Sequence, residues 1–356
     1  MPTWFGDGVM ASPALRALRG VDGCTRLTVA VREAFAPLYE GLPFVDAVLR
    51  LPERGSGRRV RRGEAARAGS TPRAGAAAVA QLRGGGFDTA VLLPNSFRAA
   101  WTAWRAGVKR RVGFDRDARG MLLTDRLVPA RTPDGFTVVP AVDYYLQMAH
   151  YLGAPAGVDR RLVVATAEHD VDLARRLLEP ARGRPVALLV PGAAAASKRW
   201  PPQSFAELAG RLHAEHGLAV AVAGAPDERE TVARLAGAAP CRVIDLLKAG
   251  AGVEGLRAVM RASRLVVTND TGPRHLAAAL NVPTVTLFGP TDPRWTETGF
   301  AVERRVISTR PAASDAMRGV SVAAALAAAA GLLSDTQSSA AAAGHGAAAA
   351  ATAGRA

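Results

Sequence analysis

The chain is poor in cysteine, aromatic residues and lysine, and it has no long apolar run. Cys24 and Cys241 are the two cysteines in 356 residues, far apart and outside any metal-binding or redox spacing. That excludes a disulfide framework and suits a reducing compartment. Aromatic residues make up only 5% of the chain. No stretch reaches the roughly 18 strongly apolar residues that a membrane helix needs, and no basic segment followed by an apolar run marks a signal peptide at the N-terminus. Acidic residues are outnumbered: 45 Lys and Arg against 31 Asp and Glu give a formal charge of +14, carried almost wholly by arginine. Such a surface suits an anionic membrane or a phosphorylated substrate, although an Ala/Arg-rich composition from a GC-rich genome raises the same count. Zinc-finger, RRM and helix-turn-helix patterns are lacking, so no nucleic-acid partner is expected.

What is present is the composition and length of two α/β domains: 49% apolar and 21% charged residues. In the second half, short apolar runs alternate with helical periodicity, which predicts parallel sheets covered on both faces. Leu162–Ala165, Val186–Val190, Leu218–Val222, Val243–Leu246 and Arg264–Thr268 are expected strands. Trp101 and Trp104 share one face of an expected helix, Ser96–Arg105, where core packing is the expectation. The segment 54–73 is rich in Arg, Gly and Ser and is expected to be a basic surface loop.

One stretch organises the rest: VVTNDTGPRHLAAALNVPTVTLFGPTDP, Val266–Pro293. A strand runs into Asn269-Asp270-Thr271-Gly272, Pro273 opens a helix, and a second strand follows Asn281. Proline suits the first helical turn, and Gly272 lets a ligand approach the backbone. The free N–H groups at a helix start can receive a phosphate, and Arg274 and His275 could add positive charge there. Many βα units with the same outline bind nothing.

NDTGPRHLAAALNVPTVTLFGPTDP closely resembles the C-terminal signature of glycosyltransferase family 9, the heptosyltransferases. Three further stretches resemble that family in the same order: WFGDGVMASPALRAL at Trp4–Leu18, FDTAVLLPNSFRAAWTAWRAGVKRRVGF at Phe87–Phe114, and PGAAAASKRWPPQSFAEL at Pro191–Leu208. The resemblance implies a GT-B fold, two Rossmann-like domains facing across a cleft: an acceptor domain over 1–153 and a nucleotide-sugar domain over 156–319. A C-terminal helix, 320–335, crossing back onto the first domain, and a disordered Ala-rich tail, 336–356, complete the expectation. It further implies transfer of heptose from an ADP-heptose-like donor to the lipopolysaccharide inner core by an inverting displacement. No metal and no cofactor are expected, because positive groups would neutralise the leaving diphosphate. The protein would be cytoplasmic, and peripheral where an anionic membrane surface binds it.

The resemblance also assigns residues. Asp7 would be the general base, although a turn or capping aspartate would look the same. Lys198 would neutralise the donor diphosphate, beside a phosphate loop at Gly192 and Ala193. Ala194 replaces the hydroxyl residue usual there. Glu228, with Glu230 as the near alternative, would contact the nucleoside, although both equally suit a first helical turn. Asp270, Thr271, Gly272 and His275 would contact donor sugar and diphosphate. Met1-Pro2-Thr3 stands where the family has an apolar first strand, which is therefore expected to be truncated. Two other readings stay open: a sugar-nucleotide epimerase of the same architecture, and a sugar-nucleotide-binding protein without turnover.

Overall fold

The computed structural model of the protein describes residues 1–52, 71–133, 135–312 and 314–335. The basic stretch up to residue 70 and the Ala-rich tail 336–356 lie outside the described residues. The chain divides into two compact units: Met1–Thr166 with Arg294–Thr298, and Ala167–Pro293 with the residues from Gly299 onward.

The first unit opens with two short helices, α1 (Phe5–Met10) and α2 (Ser12–Arg19), followed by β1 (Thr28–Arg32) and β2 (Ala47–Leu51). Then come α3 (Thr71–Gly84), β3 (Thr89–Val91), α4 (Phe97–Arg105), β4 (Arg110–Phe114) and β5 (Asp125–Leu127). A small antiparallel pair, β6 (Arg131–Thr132) and β7 (Gly135–Phe136), precedes α5 (Ala141–Tyr151). β1 pairs with β2, and β3–β4–β5 form a separate parallel sheet. Residues 1–3 form no strand. Gly6-Asp7-Gly8 is part of α1. Gly8 is required there because a Cβ would stand 2.6 Å from the Tyr39 hydroxyl.

Two local expectations fail for physical reasons. Leu162–Ala165 is irregular, because Val163 N–H donates to Ser12 Oγ at 2.9 Å and Ala165 N–H to Leu38 O at 2.7 Å. Two of its backbone N–H groups are thus satisfied without a ladder. Trp101 and Trp104 do share a face of α4, but it is the outer one; they are 40% and 48% exposed. The inner face is made by Ala100 and Ala103, whose small side chains let the helix lie close to its sheet.

The second unit begins with α6 (Asp170–Leu177) and then alternates: β8 (Val186–Val190), α7 (Pro202–His216), β9 (Ala219–Val222), α8 (Arg229–Ala238) and β10 (Val243–Asp245). It continues with α9 (Val253–Ala262), β11 (Leu265–Asn269), α10 (Gly272–Ala279), β12 (Thr284–Phe288), β13 (Glu303–Ile307) and a last helix, α11, over 322–335. The six strands are all parallel in the order β10–β9–β8–β11–β12–β13. β8, β9, β11 and β12 are buried at every position, which is why they read as unbroken apolar runs rather than alternating ones. Ala187, Leu189, Val220, Val222, Val267 and Val285 join Phe205, Leu208 and Leu212 of α7 in one core. Each fully buried valine, leucine or phenylalanine among them contributes about 1.5–3 kcal/mol. α11 adds Ala325, Leu326, Ala329, Leu332 and Leu333 to that core, at helical spacing. Asn281 ends α10 with a left-handed φ of 56°, the C-terminal turn that asparagine tolerates best after glycine.

A buried ion pair ties α6 to α9. Arg257 donates to Asp170 from Nε at 2.9 Å and Nη2 at 2.7 Å. Burial pushes the Asp170 carboxyl upward, but the guanidinium outweighs it and holds the group below the usual carboxylate range. Arg257→Ala leaves a buried carboxylate uncompensated and is expected to destabilise the protein by about 3–5 kcal/mol. The urea midpoint measures it; a loss under about 1 kcal/mol would show that the pair is dispensable.

Candidate active site

Strand order in the second unit reverses between β8 and β11, whose connections leave in opposite directions along the sheet. Carboxyl ends of strands at such a reversal form the crevice where open α/β sheets bind ligands. Pro191-Gly192 follows β8 and Asp270-Thr271 follows β11. Asn269, fully buried at the end of β11, joins the two. Its Nδ2 donates to Pro191 O at 2.9 Å and Gly192 O at 3.3 Å, and its Oδ1 accepts from Trp200 N–H at 3.2 Å. The loop from 191 to 200 is thereby tied down at both ends. Trp200 is itself buried, donates Nε1–H to Val320 O at 2.9 Å and packs edge-on against Phe205.

Lys198 and Asp270 come together at this point. Lys198 Nζ donates to Asp270 Oδ2 at 3.1 Å and to its main-chain O at 3.3 Å. The lysine side chain remains 30% exposed, whereas that of Asp270 is 4% exposed. Asp270 also accepts from Arg274 Nη1 at 3.2 Å and Thr291 Oγ1 at 2.9 Å. Arg274 turns on to Glu303, with Nε–Oε1 at 2.5 Å and Nη2–Oε2 at 3.1 Å. Thr286 Oγ1 at 2.6 Å and Arg305 Nε at 2.8 Å complete the shell of Glu303. Burial raises both carboxyls, yet Lys198 and Arg274 hold Asp270, and Arg274 holds Glu303, below their ordinary ranges. Arg274 is thus a buried strut between two carboxylates rather than an added charge at the helix start.

His275 is buried as well, and its Nδ1 has no hydrogen-bond partner among the described residues. Burial first, then the neighbouring Arg274 charge, pulls its pKa down to about 3. It is a neutral imidazole at physiological pH, so it supplies a polar group and not the cation expected from its place in the sequence. Thr271 caps α10 in an extended conformation with Oγ1 donating to Asn269 O at 3.3 Å, and Gly272 is the first helical residue.

Glu228 and Gly192 are the second pair brought together. Glu228 Oε2 accepts from Ala225 N–H at 2.8 Å, which turns its carboxylate back over the end of β9. A Cβ on Gly192 would lie 1.9 Å from that carboxylate, so glycine is what allows the approach. Glu230 instead faces outward to Arg234 at 2.6 Å. Ala193 is buried, its carbonyl accepting from Arg199 Nε at 2.7 Å, while Ala194 is exposed. Asp7 belongs to the first unit, half-buried in the first turn of α1. The Tyr145 hydroxyl nearby is pushed up by burial and then by the Asp7 charge.

Sequence reasoning passed over Asn269, Thr291 and Glu303 as working residues. Glu303 had a visible signal, a single acid among the arginines of an apolar-patterned strand. Arg119 is buried and donates to the carbonyls of Phe114 and Pro94 at the strand ends. Two Asp-x-Asp triplets are present, Asp115-Arg116-Asp117 in the first unit and Asp170-Val171-Asp172 in the second, where Asp170 is bound to Arg257.

This strand order, repeated α/β alternation and a polar crevice at the reversal define a Rossmann-like unit, the kind from which glycosyltransferases of the GT-B fold are built. A sequence profile of glycosyltransferase family 9 (heptosyltransferase) matches residues 76–321, and the chain belongs to that family. It is 28% identical over 320 residues to lipopolysaccharide heptosyltransferase 2 of Escherichia coli, a match covering 83% of each chain. The solved structure of E. coli ADP-heptose lps heptosyltransferase II superposes with a TM-score of 0.75 at 24% identity, covering 94% of this chain and 98% of the other. An E. coli heptosyltransferase with ADP-2-deoxy-2-fluoro heptose gives 0.62 at 22%, covering 91% and 95%.

The Gly192–Glu228 contact generates a double-mutant test. Gly192→Ala must displace the Glu228 carboxylate, and Glu228→Ala removes it. Because both act on one contact, the double variant is expected to lose no more stability than the worse single variant, a coupling of at least about 0.5 kcal/mol. Strictly additive losses in denaturant titrations would show that the carboxylate does not rest on the glycine.

Proposed function

We propose that the protein transfers a heptose from an ADP-heptose-like donor to the inner core of lipopolysaccharide. The observation that carries the reading is the Lys198 ammonium, held at the β8/β11 reversal by Asp270 and still partly open to solvent. An ammonium has three N–H donors, and two of them are directed at Asp270. A diphosphate seated between Gly192 and the start of α10 would meet that charge together with the free N–H groups of the helix. Asp270 then serves chiefly to hold Lys198, and Glu228, beside Gly192, takes the nucleoside side of the donor. The relatives' names supply the donor and acceptor classes, and their chains are matched over most of their length.

The reaction follows as a single displacement. The acceptor hydroxyl loses its proton to the Asp7 carboxylate as its oxygen bonds to the sugar anomeric carbon. The bond from that carbon to the phosphate oxygen breaks, and its electron pair leaves on ADP, where Lys198 and the N-terminus of α10 stabilise it. His275, being neutral, acts by hydrogen bonding or shape rather than by charge. Donor binding is thus assigned to the second unit and acceptor activation to the first.

Contact with an anionic membrane is part of the same proposal, since a lipid-linked acceptor is presented there. No helix among the described residues is long and apolar enough to cross a membrane. The outer face of α4 carries Phe97, Trp101 and Trp104 with Arg98 and Arg105, and the Arg105 guanidinium lies 5.4 Å from the Trp101 ring centre. Aromatic and basic side chains on one helix face suit the headgroup region of a cytoplasmic leaflet.

Purified protein given ADP-heptose and a truncated-core acceptor should release ADP only when the acceptor is present. Acceptor-independent release of an altered sugar nucleotide would favour an epimerase, and tight donor binding without turnover a binding protein. Asp7→Asn should lower turnover by roughly a hundred- to ten-thousandfold with donor affinity nearly intact. Lys198→Ala should weaken donor binding by roughly tenfold or more. Near-normal turnover of the first or unchanged affinity of the second removes that residue from its role.

A further inference from the structure

Three arginines gather around the carboxyl end of β4 with no acid paired to them. Arg119 is fully buried. Its guanidinium donates to the carbonyls of Phe114 at 2.9 Å, of Pro94, and of Leu92 at 3.4 Å, and to Asn95 Oδ1 at 3.3 Å. Arg116 and Arg131 both lie against the Phe136 ring, their guanidinium carbons 4.0 Å and 4.4 Å from its centre. Arg131 and Phe136 stand directly opposite each other in the β6–β7 pair. The two carbons are thus within about 8 Å of each other, no more than the Debye length of a physiological buffer, so the charges repel. Among the described residues none of the three arginines forms an ion pair. The acids of the intervening loop, Asp115 and Asp117, are exposed, and the Asp115 carboxylate lies over Gly120, where a Cβ would stand 2.4 Å from it.

The backbone of that loop is held in an unfavourable form. Asp117 and Ala118 are consecutive left-handed residues, with φ of 54° and 57°. Aspartate tolerates that region, whereas alanine has no side-chain bond to offset its cost. Such strain persists only where the surroundings impose it, and it collects at functional sites. Here the anchor is Arg119, whose bonds reach the last residue of β4 and the residues that follow β3.

The cluster is tied to Asp7 through α5. Tyr144 stacks on Phe114 with ring centres 4.0 Å apart, and its hydroxyl donates to Asn95 Oδ1 at 2.9 Å. Burial pushes the pKa of that hydroxyl up, and Arg116 beside it works the other way. Tyr145, the next residue, is the one pushed up by burial and then by the Asp7 charge. The two tyrosine rings meet edge-on with centres 5.9 Å apart. Arg116 and Asp7 are thus separated by one pair of tyrosines.

Two unpaired guanidiniums held by one ring make a fork for a tetrahedral oxyanion, which can accept charge-assisted bonds from both. Phe136 supplies the mounting through cation–π contact and adds no negative charge that would compete. We propose that Arg116 and Arg131 bind a phosphate monoester carried by the saccharide acceptor and so orient the hydroxyl that Asp7 deprotonates, an assignment that rests on Asp7 as the base. Arg119 is the positioning residue that holds the strained loop.

The test compares a deacylated truncated-core saccharide bearing phosphate with the same saccharide after phosphatase treatment. With the native protein the phosphorylated form should have a KM lower by about tenfold or more. Arg116→Gln and Arg131→Gln should each raise that KM by about tenfold, with kcat and donor affinity close to native and the KM of the dephosphorylated form unchanged. Lys109→Gln, which removes an exposed charge of the same unit, should alter neither KM. Inorganic phosphate, followed by phosphorus NMR, should bind the native chain and not the double variant. Equal KM values for the two saccharides in the native protein overturn the proposal, as does a rise that the arginine variants show equally for both. An equal effect of Lys109→Gln would mean that net charge alone acts, and phosphate binding that survives in the double variant would place the anion elsewhere; both overturn it. Phosphate binding lost in the double variant without any preference for the phosphorylated saccharide would mean a site for free phosphate, and the acceptor assignment falls. Asp7→Asn keeps the two readings apart. Turnover retained there removes the base, whereas phosphate binding, measured without turnover, still decides on Arg116 and Arg131.

Discussion

A carboxylate buried at the end of a parallel strand has to be compensated on every side, and Asp270 shows what that demands. Lys198, Arg274 and Thr291 all donate to it. Arg274 cannot be buried against one carboxylate alone without leaving N–H groups unpaired, and it reaches Glu303. Glu303 in turn draws in Thr286 and Arg305. Removing one member strands a charge in a low-dielectric interior, so the network holds or fails as a unit. It runs from the start of β13 to the end of β11 and surfaces in Lys198, which fixes where the mobile side chain of a lysine can place its charge.

The second constraint is the parallel sheet itself. Such sheets must be covered on both faces and continuous at their centre, because an unpaired central strand exposes backbone groups that water cannot easily reach. The second unit meets this with six hydrogen-bonded strands in one sheet. The first unit has five parallel strands split between two sheets, with an apolar slot between them. A rigid frame for the Lys198 loop thus sits in the complete unit, and Asp7, in the six-residue helix α1, sits in the one with the slot.

Most of the second unit was legible from residues alone. Continuous apolar runs gave the buried strands, and Pro273 and Asn281 marked the ends of α10 through backbone chemistry that is local. The motifs were legible too, because a family signature is carried by short contiguous stretches. The first unit was less so. Helical spacing placed Trp101 and Trp104 on one face but could not say which face was inward, since Ala100 and Ala103 offered an equally good close-packing surface. Leu162–Ala165 has a strand's composition, yet its hydrogen-bond partners are Ser12 and Leu38, more than a hundred residues away in the chain.

By itself the sequence determined the class of fold, the alternation of elements and the family, because periodicity, turn chemistry and contiguous motifs are properties of neighbours along the chain. Tertiary structure alone decided the state of the site residues. Whether Arg274 is a free charge or a strut, and whether His275 is a cation or a neutral ring, depends on Glu303 and on burial by strands far away in sequence. Charge is set by desolvation and by facing groups, and neither is a local property of the chain.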